Sequence, residues 1–220
     1  KISLKLSAFD KIWKSKNSSA PNKEFQIKNC NLLVDYIYLD NDERKFFAQN
    51  NHQYLIKQIQ INKHNVSQRN NTKKKINLNF KHPISELIWF LRRQDIKDTS
   101  KEWFNYSDAV QCPYSDPLIS GQILLNGVDR TIELDNQYLR LYQPFKRHTN
   151  IPKSFIYLYS FALNPEDYQP SGACNMSRID NSQLVLDIKP NLPDMDIIIF
   201  AVNYNILRIQ CGMGGLAYVN

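Results

Sequence analysis

Glycine is scarce in this chain, six residues in 220, and no apolar run approaches the roughly 20 residues that a membrane-spanning helix needs. The first shortage reserves glycine for turns. The second, with an amino end KISLKLSAFDKIWK that lacks a signal-peptide apolar stretch, predicts a soluble protein. Cysteine is sparse as well: four residues, at 30, 112, 174 and 211, stand far apart with no CxxC pair. That spacing argues against a zinc site or a disulfide scaffold and predicts buried free thiols in a reducing compartment. The four histidines, at 52, 64, 82 and 148, lack ligand spacing, and in sequence none adjoins a cysteine or a carboxylate pair, so neither a metal nor a general base is expected. No GxSxG elbow is present, and Cys112, in QCPYSD, has no nucleophile motif around it. GMGG at 212–215 is followed only by LAYVN, too little for the helix that a phosphate cradle requires, so it reads as a turn or bulge in a terminal strand. No enzyme, cofactor or metal is predicted.

What the chain does have is β-forming side chains, including 12 tyrosines and 11 phenylalanines, which suit a pleated, half-buried surface. Its net charge of +7 is uneven, with 20 basic and 11 acidic groups in residues 1–110 against 8 and 10 in residues 111–220. The lysines are mostly dispersed. One cluster, KHNVSQRNNTKKK from Lys63 to Lys75, reads as a solvated loop ahead of a nucleic-acid site, with Lys73, Lys74 and Lys75 exposed. Glu166-Asp167 and Asp194-Asp196 lie in proline-containing segments and read as solvated turns. Sequons at Asn17, Asn65, Asn70, Asn105 and Asn175 imply nothing without a secretory route.

LLVDYIYL, from Leu32, predicts a strand, and the following DNDERKFFAQN a short helix with Asp40 as N-cap and Glu43 completing a capping box. From Tyr54 a strand alternates Leu55, Lys57, Ile59 and Ile61 on one face with Gln58 and Gln60 on the other. HPISELIWFLRR, from His82, fits a helical stripe and a strand equally. In ILLNGVDRTIEL, Asn126-Gly127 supplies the positive φ angles of a type I′ hairpin. FIYLYSFAL from Phe155 reads as a strand covered on both faces, QLVLDI from Gln183 as an alternating one, and DIIIFAVNYNILRIQ from Asp196 as one long strand ending near Gly212. Eight or more strands, one or two short helices, and neither βαβ alternation nor internal repeats make this an all-β chain, a β-sandwich or jelly roll.

YSFALNPEDYQPSGACNMSRID (159–180) and NYNILRIQCGMGGLAYVN (203–220) resemble the carboxy-terminal part of the major capsid protein of nucleocytoplasmic large DNA viruses, of the mimivirus, iridovirus and algal-virus type. LLVDYIYLDNDERKFFAQ, HPISELIWFLRR and ILLNGVDR extend the resemblance over about residues 30–220. It implies the second half of a double jelly-roll protein: residues 1–220 as one jelly roll, residues 1–30 outside the match, and an amino-terminal jelly roll expected before Lys1. It also implies a strand for HPISELIWFLRR, and Met176 stands where relatives often have phenylalanine.

By the same resemblance, three copies of the full-length product form a pseudo-hexagonal capsomer that tiles an icosahedral shell. The implied partners are other copies, neighbouring capsomers and minor capsid proteins. The implied location is the virion, assembled in the host cytoplasm, with an internal membrane nearby and no direct nucleic-acid contact. In this frame the 164–180 connection, packed by Tyr168 and anchored by Arg178 and Asp180, braces the sandwich or meets the neighbouring jelly roll, and Lys63–Lys75 is an exposed insertion. The alternative is a carbohydrate-recognition jelly roll on a particle surface; a cupin-type enzyme lacks its clustered ligands.

Overall fold

The computed structural model describes residues 3–6, 27–67, 72–95, 102–109 and 114–219. Two antiparallel sheets pack face to face. The first has the order β1 (His52–Val66), β10 (Met195–Gln210), β3 (Pro83–Arg93), β7 (Ile156–Ser160), with β11 (Met213–Leu216) on β10 and β8 (Cys174–Asn175) on β3. The second runs β2 (Lys73–Asn77), β9 (Ser182–Ile188), β4 (Leu118–Leu125), β5 (Val128–Asp129), with β6 (Leu134–Asp135) beside β4. Strands adjacent in sequence mostly fall in opposite sheets, which is the jelly-roll arrangement, and HPISELIWFLRR is a strand within it.

Local chemistry sets several of these elements. Asp40 Oδ1 accepts the Glu43 N–H at 2.8 Å while Glu43 reaches back to the Asp40 N–H, so the helix Asn41–Gln49 opens on a complete capping box. Asn126 and Gly127, at φ of 51° and 80°, join β4 to β5. The alternating burial of β9 and the single 16-residue β10 follow their sequence patterns. Cys211 and Gly212, at φ of 49° and 75°, turn β10 into β11.

Other expectations are corrected. Leu32–Leu39 forms no strand; it pairs with nothing among the described residues, and a strand without a partner has no ladder to hold it. Ser3–Leu6 likewise forms no strand. Lys63 belongs to β1, and Lys73, Lys74 and Lys75 are not loop but the start of β2, registered against Asp187, Leu186 and Val185 of β9. Lys73 and Lys75 stay exposed, whereas Lys74 is half-buried and donates to the Ser67 carbonyl. Residues 68–71 of that cluster, Asn17, Asn70 and Cys112 lie outside the described residues. Cys30 and Cys211 are exposed and Cys174 is half-buried against the core, so the three described thiols are free and none is fully buried. Asp196 is buried in β10, paired with Arg92 at 3.6 Å and bonded by Gln94, and is no solvated turn; Glu166, Asp167 and Asp194 are exposed.

Between the sheets, Trp89 and Tyr157 are fully buried and stacked, with Ile84, Leu91, Leu184, Leu186, Ile197 and Ile199 around them. A π-helical turn, Tyr138–Tyr142, runs into the helix Gln143–Arg147 and lays Leu139 on this core. Its opening is set by Asp135 Oδ1, which accepts the Tyr138 N–H at 2.6 Å. Gly121 makes the close approach possible, since a Cβ there would lie 3.0 Å from Leu139 Cδ1 and 3.4 Å from Leu186 Cδ2. Below it the Tyr157 hydroxyl donates to Asp116, whose carboxylate also accepts the Leu118 N–H and pairs with Arg140 at 3.3 Å. Burial pushes the Asp116 carboxyl up against the pull of Tyr157 and Arg140, and burial with the neighbouring Asp116 raises the Tyr157 phenol.

Two substitutions test this packing by thermal unfolding. Gly121→Val should destabilise by about 1–3 kcal/mol by forcing Leu139 and Leu186 apart. Tyr157→Phe, which keeps the ring and leaves Asp116 short of a donor, should cost about 1–3 kcal/mol.

Candidate assembly surface

Along β1 the expected alternation is present, but the glutamine face is the one turned inward. Gln58, Gln60, Asn62 and His64 are half-buried, whereas Ile59 and Ile61 are 65% and 56% exposed. The inward amides are satisfied by hydrogen bonds: Gln60 to the Lys81 backbone at 2.6 and 3.0 Å and to Asn203 at 3.1 Å, Asn62 to the Asn77 carbonyl, and Asn205 to Gln58 at 2.8 Å. Asn203 and Asn205 are each 1% exposed, and Asn205 also binds both backbone groups of Tyr218. Bonded in this way, buried amides cost little.

The outward face is continuous across the sheet. Direct cross-strand pairs carry it from Ile59–Val202 and Ile61–Phe200 to Phe200–Ile88 and Ile198–Phe90, then to Ile88–Leu158 and Phe90–Ile156. Tyr106 covers Phe90 with ring centroids 4.2 Å apart. On the same strand face as Ile59 and Ile61, Lys57 donates to the carbonyls of Pro165 at 2.6 Å and Asp167 at 2.8 Å, and Tyr168 donates to the Leu55 carbonyl. The 164–180 connection is therefore stapled to β1 by Lys57 and Tyr168, and anchored at its far end by buried Met176, whose N–H donates to the His82 carbonyl. Arg178 and Asp180 are exposed, and among the described residues neither side chain makes a hydrogen bond or ion pair.

A second exposed apolar region precedes β1. Leu33, Ile37 and Tyr38 are 95%, 85% and 87% exposed, and Phe46 and Phe47 project from the short helix against His52. Chemistry of the catalytic kind is harder to find. Among the described residues no cluster of histidine, cysteine and carboxylate side chains could hold a metal, and no helix is long and apolar enough to cross a membrane. One histidine departs from expectation: His148 lies between two carboxylates, Glu86 at 2.9 Å and Glu166 at 3.1 Å. Sequence reasoning missed it because neither partner is near in the chain.

A profile of the family described as large eukaryotic DNA virus major capsid protein matches residues 43–215. The chain is 39% identical to the major capsid protein of Pyramimonas orientalis virus, over 86% of this chain and 48% of that protein. It is 34% identical to the major capsid protein of Paramecium bursaria Chlorella virus 1, over 86% of this chain and 54% of that protein. The PBCV-1 virus capsid structure superposes with a TM-score of 0.70 at 31% identity, covering 84% of this chain and 56% of that one. The Faustovirus major capsid protein shares the fold, with a TM-score of 0.60 at 14% identity over 77% of this chain and 36% of that one. The chain thus spans about half the length of the curated relatives it matches. With the jelly-roll strand order, the matched residues and the close relatives in agreement, the chain belongs to the major capsid protein family of large eukaryotic DNA viruses.

Proposed function

We propose that the chain is the carboxy-terminal jelly roll of a structural capsid protein of the virion, and that it works by packing its outward sheet face against another jelly roll. The observation that carries this reading is the two-faced apolar sheet, with Ile59 and Ile61 left in solvent on a face that its own second sheet cannot reach. The run Leu32–Leu39, rich in β-formers and unpaired, supplies a strand to a sheet of the upstream jelly roll. Three copies of the full-length product then make the pseudo-hexagonal capsomer, with Arg178 and Asp180 exposed for contacts with neighbours and minor capsid proteins. Contacts of this kind gain strength by repetition under symmetry.

A second reading, carbohydrate recognition, has one feature in its favour. A cleft of about 570 Å³ is lined by Trp103, Phe104, Tyr106, Tyr114, Lys153 and Phe155, aromatic platforms with a polar rim. Binding on a glycan array that is lost in Trp103→Ala would move this reading ahead.

Light scattering coupled to size exclusion decides the main proposal. The full-length product should run as a trimer and this chain as a monomer, and Ile59→Lys with Ile61→Lys should weaken assembly at least tenfold while leaving the melting temperature within a few degrees. A full-length product that stays monomeric at micromolar concentration refutes it. Arg178→Ala should lower assembly without lowering the melting temperature; no change in assembly would remove Arg178 from the interface.

A further inference from the structure

His148 follows the helix Gln143–Arg147 and points both ring nitrogens at carboxylates: Nε2 at Glu86 of β3, 2.9 Å away, and Nδ1 at Glu166 of the 163–168 loop, 3.1 Å away. A neutral imidazole carries one N–H and satisfies one such acceptor; the imidazolium carries two and satisfies both. The acceptors are unequal. The Glu86 side chain is 7% exposed and poorly reached by solvent, whereas that of Glu166 is 42% exposed and is solvated readily once released. A deprotonated ring therefore keeps its one N–H on Glu86 and presents a lone pair to Glu166.

We propose that His148 is a proton-operated latch, which as imidazolium ties the 163–168 loop to the outer face of the β1–β10–β3–β7 sheet and on deprotonation lets the Glu166 end go. The loop has other ties besides the histidine. Lys57 of β1 donates to the Pro165 and Asp167 carbonyls, Arg147 to the Leu163 carbonyl at 3.0 Å, and Tyr168 to the Leu55 carbonyl. The Thr149 N–H also donates to Glu166, and Tyr204 of β10, its phenol pushed up by burial and by Glu86, stays neutral beside that carboxylate. These contacts hold the loop's position while the histidine sets how tightly its acidic end is bound.

The direction of the pH effect follows. The hydrogen bond to Glu86 raises the His148 pKa above its ordinary 6.5, against the opposing effect of burial. The latch is then fully closed below about 6.5 and lost as pH rises through the raised folded value, with opening growing up to about tenfold per pH unit in that window. It acts within one chain and does not depend on assembly.

Hydrogen exchange of the 163–168 amides, corrected for the intrinsic pH dependence of exchange and followed from pH 6 to 8.5, reads the opening. Protection should fall severalfold as pH rises in the wild type. In His148→Gln, whose one amide nitrogen can meet only one of the two carboxylates and which does not titrate, it should be low and flat with pH. Proton NMR titration of the wild-type His148 ring supplies a readout that needs no variant. Protection that is independent of pH in the wild type, pH dependence that survives in His148→Gln, or a His148 that titrates at or below 6.5 would each overturn the latch.

Discussion

Burying the inner face of β10 leaves its outer face apolar as well, because Ile198, Phe200 and Val202 alternate with Ile197, Ile199 and Ala201 along one strand. Its neighbour β3 repeats the pattern, with Leu87, Trp89 and Leu91 inward and Ile88 and Phe90 outward. A sheet apolar on two faces needs two covers, and the second sheet supplies one. Loops supply part of the other: Tyr106 lies over Phe90, and the 163–168 loop reaches across β1 to Lys57 and Leu55. Among the described residues, what remains uncovered is the β1 edge, and the proposed assembly contact falls there.

That constraint also accounts for the inverted strand. If the isoleucines of β1 faced inward, its amides would lie on the outer face, and the apolar surface begun by Phe200 and Val202 would stop at β10. With the amides inward, they bind the backbone of residues 77 and 81, where the chain passes from β2 to β3, while Asn205 beside them holds Tyr218 of the tail. Exposed isoleucine forgoes roughly 25 cal/mol for each Å² of apolar area left in water, a loss that a partner surface recovers on contact. The inward polar face is thus a fastening for neighbouring segments, and the outward face is held open.

How much of this was legible in the sequence divides along the range of the interactions. The Asp40–Glu43 box, the Asn126-Gly127 turn, the alternation of β9 and the length of β10 are properties of a few consecutive residues, and the pattern alone reveals them. Lys73–Lys75 looks like loop because its strand character comes from β9, more than 100 residues away. Leu32–Leu39 has the composition of a strand and no partner among the described residues, so propensity without pairing produced no sheet. The helix after β6 carries Pro144 and mixed aromatics, which blur its period; the Asp135 cap was its one local signal. His148 lies 62 residues from Glu86 and 18 from Glu166, beyond the reach of any spacing rule.

An apolar edge strand is also a hazard, since its free backbone groups can pair with any passing strand. On the outward face of β1 the order is Lys57, Ile59, Ile61, Lys63, so each end of the isoleucine pair is bounded by a lysine, with β1 paired, among the described residues, to β10 on one side only. Lys57 is further committed to the carbonyls of the 163–168 loop, which places that loop at one end of the apolar pair. Unselective association through this edge would have to bring a foreign strand past two cations. A partner with carboxylates at those positions meets no such cost, so the same four residues that expose the contact also restrict what can occupy it.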